Sequence, residues 1–256
     1  MKRAVCTLGL IVLLISIVGC KGIEERKETN DKILGVWLSY SELDAMLTGG
    51  NFKKDFERAV GDSKNLGITD FFIHIRPFCD SYYPSKYFPL RESVGNIDFD
   101  PLEFMIDICH KNEIRVHGWI NPYRVRTADV DLTALPEESV VRQWLSDEES
   151  NNDRNVCLFN GIYLNPAEPE AMRLITDGIR EVLEKYSIDG IHFDDYFYPT
   201  QDVAFDKSSY ELYTEKTKNP LSLDDWRRSN VNAFIGNVSR VLNLLEREVV
   251  FSISPA

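Results

Sequence analysis

Residues 189–199 read DGIHFDDYFYP, an apolar run that ends on two adjacent carboxylates, Asp194 and Asp195, ahead of three aromatic residues and Pro199. Strand side chains alternate between faces, so the run divides into Ile191, Phe193 and Asp195 on one side and Gly190, His192 and Asp194 on the other. Four other short apolar runs divide the same way: GVWLSY (35–40), DFFIHIR (70–76), IRVHGWIN (114–121) and VVFSIS (249–254). One face of each is aliphatic or aromatic, as in Phe71, Ile73 and Ile75 or Val116, Gly118 and Ile120. The other turns polar toward its carboxyl end, as in Trp37 and Ser39, then His74 and Arg76, then His117, Trp119 and Asn121, then Ser252 and Ser254.

A doubly wound sheet carries helices on both faces and is apolar on both. A barrel carries helices outside only, and its lumen is packed below and polar at the mouth. The split faces therefore predict an α/β fold of the (β/α)8 TIM type. His74, His117 and His192, three of the four histidines, fall on the lumen side. A lone histidine there is commonly a satisfied core residue; three together, beside Arg76 and Asp194, mark a functional mouth.

Between the runs lie amphipathic stretches with legible ends. Asn51 precedes FKKDFERAVGDSKNL and Gly67 stops it; Asp100-Pro101 opens another. Asn165-Pro166 leads into AEPEAMRLITDGIREVLEKY, and Ser222 with Asp225 has the form of a capping box. Two long connections, 122–164 and 196–221, follow strands and so belong to the mouth. The first holds Asn160-Gly161 between VCLF and IYL, a hairpin signal.

The chain has 256 residues and a formal net charge of −12, which opposes attraction to phosphate backbones, so no nucleic-acid partner is expected. Residues 1–20 pair a basic start with a short apolar run ending Ile17-Val18-Gly19-Cys20, the form of a secretory signal with a lipobox. Cleavage after Gly19 would leave Cys20 lipidated and the protein anchored to a membrane in the cell envelope; the alternative is an ordinary secretory peptide or short anchor. Residues 21–33 read as a polar tether. Cys79, Cys109 and Cys157 form no disulfide framework or zinc spacing, and no cofactor motif is present.

In order, GVWLSY, IHIRPFCDSYYPSKYFP, HGWINPYRV, YLNPAEPE, DGIHFDDYFYP and FSISPA resemble the blocks of the bacterial glycosyl hydrolase-like 10 family of barrel lipoproteins, over about residues 34–256. The resemblance implies a cell-envelope glycosidase acting on a polysaccharide, peptidoglycan glycan strands or a related glycan. It carries function onto Arg76, Asp80, Asn121, Tyr123, Arg124, Asn165, Glu168, Asp194 and Asp195. The barrel of that family needs eight strands and the sequence supplies five, so the expectation is a truncated barrel, from a fragment or a shortened gene, with an exposed edge strand open to association.

Glycoside hydrolysis uses two carboxyl groups, about 5–5.5 Å apart for retention or about 6.5–9.5 Å for inversion. Asp194 and Asp195 point to opposite faces and cannot simply be that pair. Asp194, following His192 into the lumen, is the expected catalytic carboxylate. Asp195 orients it, caps the turn, contacts sugar from the rim or is a plain loop residue. Glu168 and Asp80 are further candidates, and the partner carboxylate can also lie on the missing strands, leaving a glycan-binding lipoprotein that does not cleave. Trp37 and Trp119 are candidate stacking platforms, with Tyr82, Tyr196 and Tyr198 as outer ones. A metal-dependent hydrolase using His74, His117, His192 and Asp194 is the less favoured reading, because no tight histidine pair occurs.

Overall fold

The computed structural model describes residues 33–127, 129–194 and 197–254. Five strands, β1 (Gly35–Leu38), β2 (Asp70–Arg76), β3 (Arg115–Ile120), β7 (Gly190–Phe193) and β8 (Val250–Ile253), form one parallel sheet in that spatial order. Sequential strands that neighbour in space, with helices between them, are the arc of a βα barrel. The sheet is not closed among the described residues.

The aliphatic faces bury against the helices. Phe71, Ile73, Ile75, Val116, Ile120, Ile191 and Phe193 are buried, and they meet α2 (Phe52–Asn65), α3 (Pro101–Lys111), α5 (Pro169–Lys185) and α7 (Leu223–Asn243) in one core. On the helix side Phe193 stacks on Phe234 of α7 at 5.5 Å and Phe71 meets Phe56 of α2 edge-on at 6.3 Å. The caps follow the expected chemistry. Asp100 accepts from the backbone of Leu102 and Glu103 with Pro101 at the first helical position, and Ser222 accepts from the backbone N–H of Asp225.

Two local features depart from the sequence reading, and a third, the expected hairpin, gains a strand. A helix α1 (Tyr40–Thr48) follows β1 at once, closed by a reciprocal box between Ser39 and Glu42 that the reading passed over. Helix α5 begins at Pro169 rather than Pro166, because Asn165 Oδ1 takes the backbone N–H of Ala167 and turns the chain first. The hairpin at Asn160-Gly161 forms between β5 (Val156–Leu158) and β6 (Ile162–Leu164), and β4 (Arg124–Arg126) joins it as a third antiparallel strand. This small sheet, with α4 (Val140–Ser146), lies within the connection after β3, while α6 (Lys207–Lys216) lies within the one after β7.

Candidate active site

Strand register lines up one row of the lumen face: His74 beside Trp119, Trp119 beside His192, His192 beside Ser252. The His74 ring stacks on the Trp119 indole at 3.8 Å between centroids and receives the edge of Tyr40 at 5.6 Å. His192 is hydrogen-bonded through Nδ1 to Ser252 Oγ at 2.8 Å and through Nε2 to Ser254 Oγ at 3.3 Å. The half-exposed Trp37 stacks on Phe72 at 4.4 Å and touches the edge of His192 at 6.0 Å. Two residues beyond His192 stands Asp194, with its Oδ1 buried.

At the mouth of this row several buried polar groups lack partners on other elements among the described residues. Nε1 of Trp119 is buried without a hydrogen-bond partner among the described residues, and the ring nitrogens of His74 and Oδ1 of Asn121 find no partner there but each other. Asn121 spends its amide N–H on Pro77 O at 3.2 Å. A buried donor or acceptor left unpaired costs about 1–3 kcal/mol, so a cluster of them is a place for hydroxyl or amide groups of a ligand. Burial, with the nearby charges of Arg124 and Arg91, pushes the His74 imidazole down to about 2, against a small upward pull from Asn121. Burial beside His117 pushes His192 down to about 4. Both rings are neutral near pH 7, and each carries one donor and one acceptor nitrogen.

Several expected site residues sit elsewhere. A bulge between His74 and Arg76 adds a residue to β2 and reverses its phase, so Arg76 leaves the lumen face. Its buried guanidinium lies 4.2 Å over the Phe88 ring, and a methyl on Gly178 of α5 would stand 3.0 Å from its Nη1. His117 lies one register row below the mouth. It is bonded through Nε2 to Asp70 Oδ1 at 2.8 Å and stacked on Phe72 at 4.5 Å, while Arg115 grips both oxygens of Asp70. His117 is thus a core histidine fixed through Nε2, while its Nδ1 is buried without a hydrogen-bond partner among the described residues. Tyr123 is buried against Phe234 of α7 at 5.2 Å, and Tyr198 packs on Phe205 at 5.8 Å under Arg227, so neither faces the lumen row.

Glu168 and Asn165 likewise serve the local fold. Glu168 Oε1 accepts from Ser209 Oγ at 2.6 Å and sits 3.4 Å from Arg154 Nε. Asn165 donates to Arg154 O and to Ser209 Oγ. Together they tie α6 to the start of α5. Asp195, Tyr196 and Cys20, with the expected signal and most of the tether, lie outside the described residues. Among the described residues no three His, Cys, Asp or Glu side chains converge as metal ligands.

Asp80 occupies a second feature that the sequence reading missed. Arg91 Nη1 donates to Asp80 at 2.6 Å while its Nε and Nη2 grip Asp44 of α1 at 3.0 and 2.8 Å. Tyr82 and Ser93 also donate to Asp44. Burial pushes the Asp80 carboxyl up despite the guanidinium, whereas hydrogen bonds outweigh burial at Asp44 and hold it down. Asp44 and Arg91 belong to no short motif, being 47 residues apart; only the unrecognised helix α1 brings them together.

Comparison with known proteins agrees with this architecture. Among curated proteins, the chain is 33% identical over 209 residues to the glycosyl hydrolase YngK of Bacillus subtilis, covering 79% of this chain and 40% of that protein. It is 30% identical over 266 residues to the glycosyl hydrolase DigH of Escherichia coli K12, covering 93% of this chain and 58% of that protein. The chain thus spans about half the length of the curated relatives it matches. Among solved structures, it resembles alpha-L-fucosidase isoenzyme 2 from Paenibacillus thiaminolyticus, with a TM-score of 0.59 at 13% identity over 87% of this chain and 32% of that one. It also resembles the PgaB (BpsB) glycoside hydrolase domain from Bordetella bronchiseptica, with a TM-score of 0.52 at 14% identity over 87% of this chain and 64% of that one. These two likenesses are of fold, and they agree with reading the five parallel strands as part of a TIM-type barrel. The family model for glycosyl hydrolase-like 10 matches residues 32–256, nearly the whole chain, and with two relatives at 30% identity or more it shows that the chain belongs to the glycosyl hydrolase-like 10 family.

Proposed function

We propose that this protein contributes the sugar-binding mouth and one catalytic carboxylate of a glycoside hydrolase of the cell envelope, with peptidoglycan glycan strands as substrate. The observation that carries the reading is the position of Asp194. It follows His192 on the lumen side of β7, at the carboxyl end of the sheet, beside a row of neutral, hydrogen-bonding rings. Active sites of such barrels form at this end. A neutral His74 and the indole N–H of Trp119 suit sugar hydroxyls, which both donate and accept, and the exposed face of Trp37 suits the C–H face of a pyranose.

In this reading Asp194 is the ionised partner that meets the oxocarbenium-like centre, or activates the water that does. The proton for the leaving oxygen comes from a second carboxyl group. Glu168 is engaged with Ser209 and Arg154 and is withdrawn from that role. Family membership and the glycosidase names of the relatives support hydrolysis; the lipobox-like residues 17–20 support the envelope location. The other reading, a glycan-binding lipoprotein that does not cleave, is favoured by one fact: among the described residues no other strand of the sheet ends on a carboxylate level with Asp194.

Release of soluble muropeptide-free fragments from purified glycan strands tests the proposal. The protein is expected to release them, and Asp194→Asn to lower kcat by about 10³-fold or more with little change in KM, as for loss of a group acting only in the transition state. Equal inactivity of both proteins, with retained glycan binding, would establish the non-cleaving reading instead.

A further inference from the structure

A cleft of about 750 Å³ opens at the same end of the sheet, walled by α1, the loop after β2 and the segment that follows β4. This volume falls within the range of small-molecule pockets. The cleft adjoins the lumen row through two rings: Tyr40 is 5.6 Å from His74 on one side and 5.4 Å from Phe78, which lines the cleft, on the other. Arg91 stands 5.4 Å from both rings and closes the floor. We propose that this cleft is a second saccharide subsite, which receives an uncharged sugar unit of the bound chain and excludes an acidic one, with Asp80 as the specificity-determining residue.

The chemistry of the lining supports that choice. Pro89, Leu90, Leu135 and Pro136 offer apolar surface for the C–H faces of a sugar. Asp44 and Asp80 share the one guanidinium of Arg91, so the three groups carry a formal charge of −1, and Glu92 adds another. The other lining cation, Arg126, is spent on Asp129. Asp80 Oδ2 is held by Arg91, while Oδ1 is buried in the wall outside that contact, and among the described residues the carboxyl draws otherwise only on the backbone of Phe78. An incoming hydroxyl or amide N–H satisfies Oδ1; a carboxylate brought to it meets a like charge in a partly desolvated wall, where repulsion is strong.

The inference rests on the glycan-active reading above but has its own test. Binding of chitobiose, chitotetraose and tetragalacturonate to the full chain is measured by titration calorimetry, alongside the hydrolysis assay. Chitotetraose is expected to bind at least about tenfold more tightly than tetragalacturonate. Asp80→Asn, which keeps an oxygen for Arg91, narrows that ratio, and Leu90→Trp, at an exposed position on the cleft wall, weakens chitotetraose about tenfold while chitobiose, held at the lumen row, is unchanged. The subsite is overturned if the acidic tetramer binds as well as the neutral one, or if neither variant alters tetramer binding. Where the wild-type protein hydrolyses glycan strands yet shows either result, this inference falls alone; where it neither binds nor hydrolyses any glycan, both readings fall.

Discussion

Replacing Gly190 by alanine tests whether His117 is a fixed structural residue. Gly190 opens β7 on the lumen side, and a methyl there would stand 2.1 Å from His117 Nδ1, 2.9 Å from its Cε1 and 3.0 Å from Val250 O. Contacts this short force something to move. The imidazole cannot swing away freely, because Nε2 is bonded to the fully buried Asp70 at 2.8 Å and the ring is stacked on Phe72. Overpacking of this kind costs about 1–3 kcal/mol, and loss of a hydrogen bond to a charged group costs about 1.5–3 kcal/mol. The expected destabilisation is therefore about 2.5–6 kcal/mol, a large share of a domain's typical roughly 5–15 kcal/mol. Urea unfolding followed by tryptophan fluorescence reads it as a fall in midpoint. Gly236, in α7 with nothing within 4 Å of an added methyl, is the control: alanine there should stabilise by about 0.5–1 kcal/mol. In a His117→Ala background the Gly190→Ala cost should drop to that of the residual Val250 contact. A Gly190→Ala loss under about 1 kcal/mol, or full additivity of the two substitutions, would refute the claim that the ring is pinned.

Two further outcomes follow from the same contacts. In the unfolded chain a histidine takes up its proton near pH 6.5, but His192 in the fold does so only near about 4 and His74 near about 2. Between those values the unfolded state binds more protons, so stability is full above pH 6.5 and falls as pH drops toward 4, by up to about 1.4 kcal/mol per pH unit for each proton. His192→Gln should flatten that stretch of the stability–pH curve, and an unchanged slope would contradict the burial assigned to the ring. Glu168→Gln should lower stability by about 1–3 kcal/mol through the Ser209 and Arg154 contacts while leaving kcat on glycan strands within about twofold. A loss of kcat comparable to that of Asp194→Asn, at unchanged stability, would return Glu168 to the catalytic set.

What the sequence determined by itself is the layout of the sheet. Period-two alternation in DGIHFDD and its four counterparts is a local property: whichever face is apolar must be buried, so the alternation alone assigns His74, Trp119, His192 and Asp194 to the lumen side. Caps such as Asp100-Pro101 and Ser222 are equally local. Tertiary structure decided what long-range contacts control. Arg76 was assigned by alternation and left the lumen because a one-residue bulge, invisible in the composition of DFFIHIR, reversed its phase. Glu168 and Asn165 lie in a segment that looks like a site, but Ser209 from α6, some forty residues later, claims them. Asp80 was a candidate from the sequence, but its partners Asp44 and Arg91 became legible only once helix α1 and the loop after β2 had met. Alternation fixes the face a side chain takes; only the packed neighbours fix whether its polar atoms are already spent on the protein or remain for a ligand.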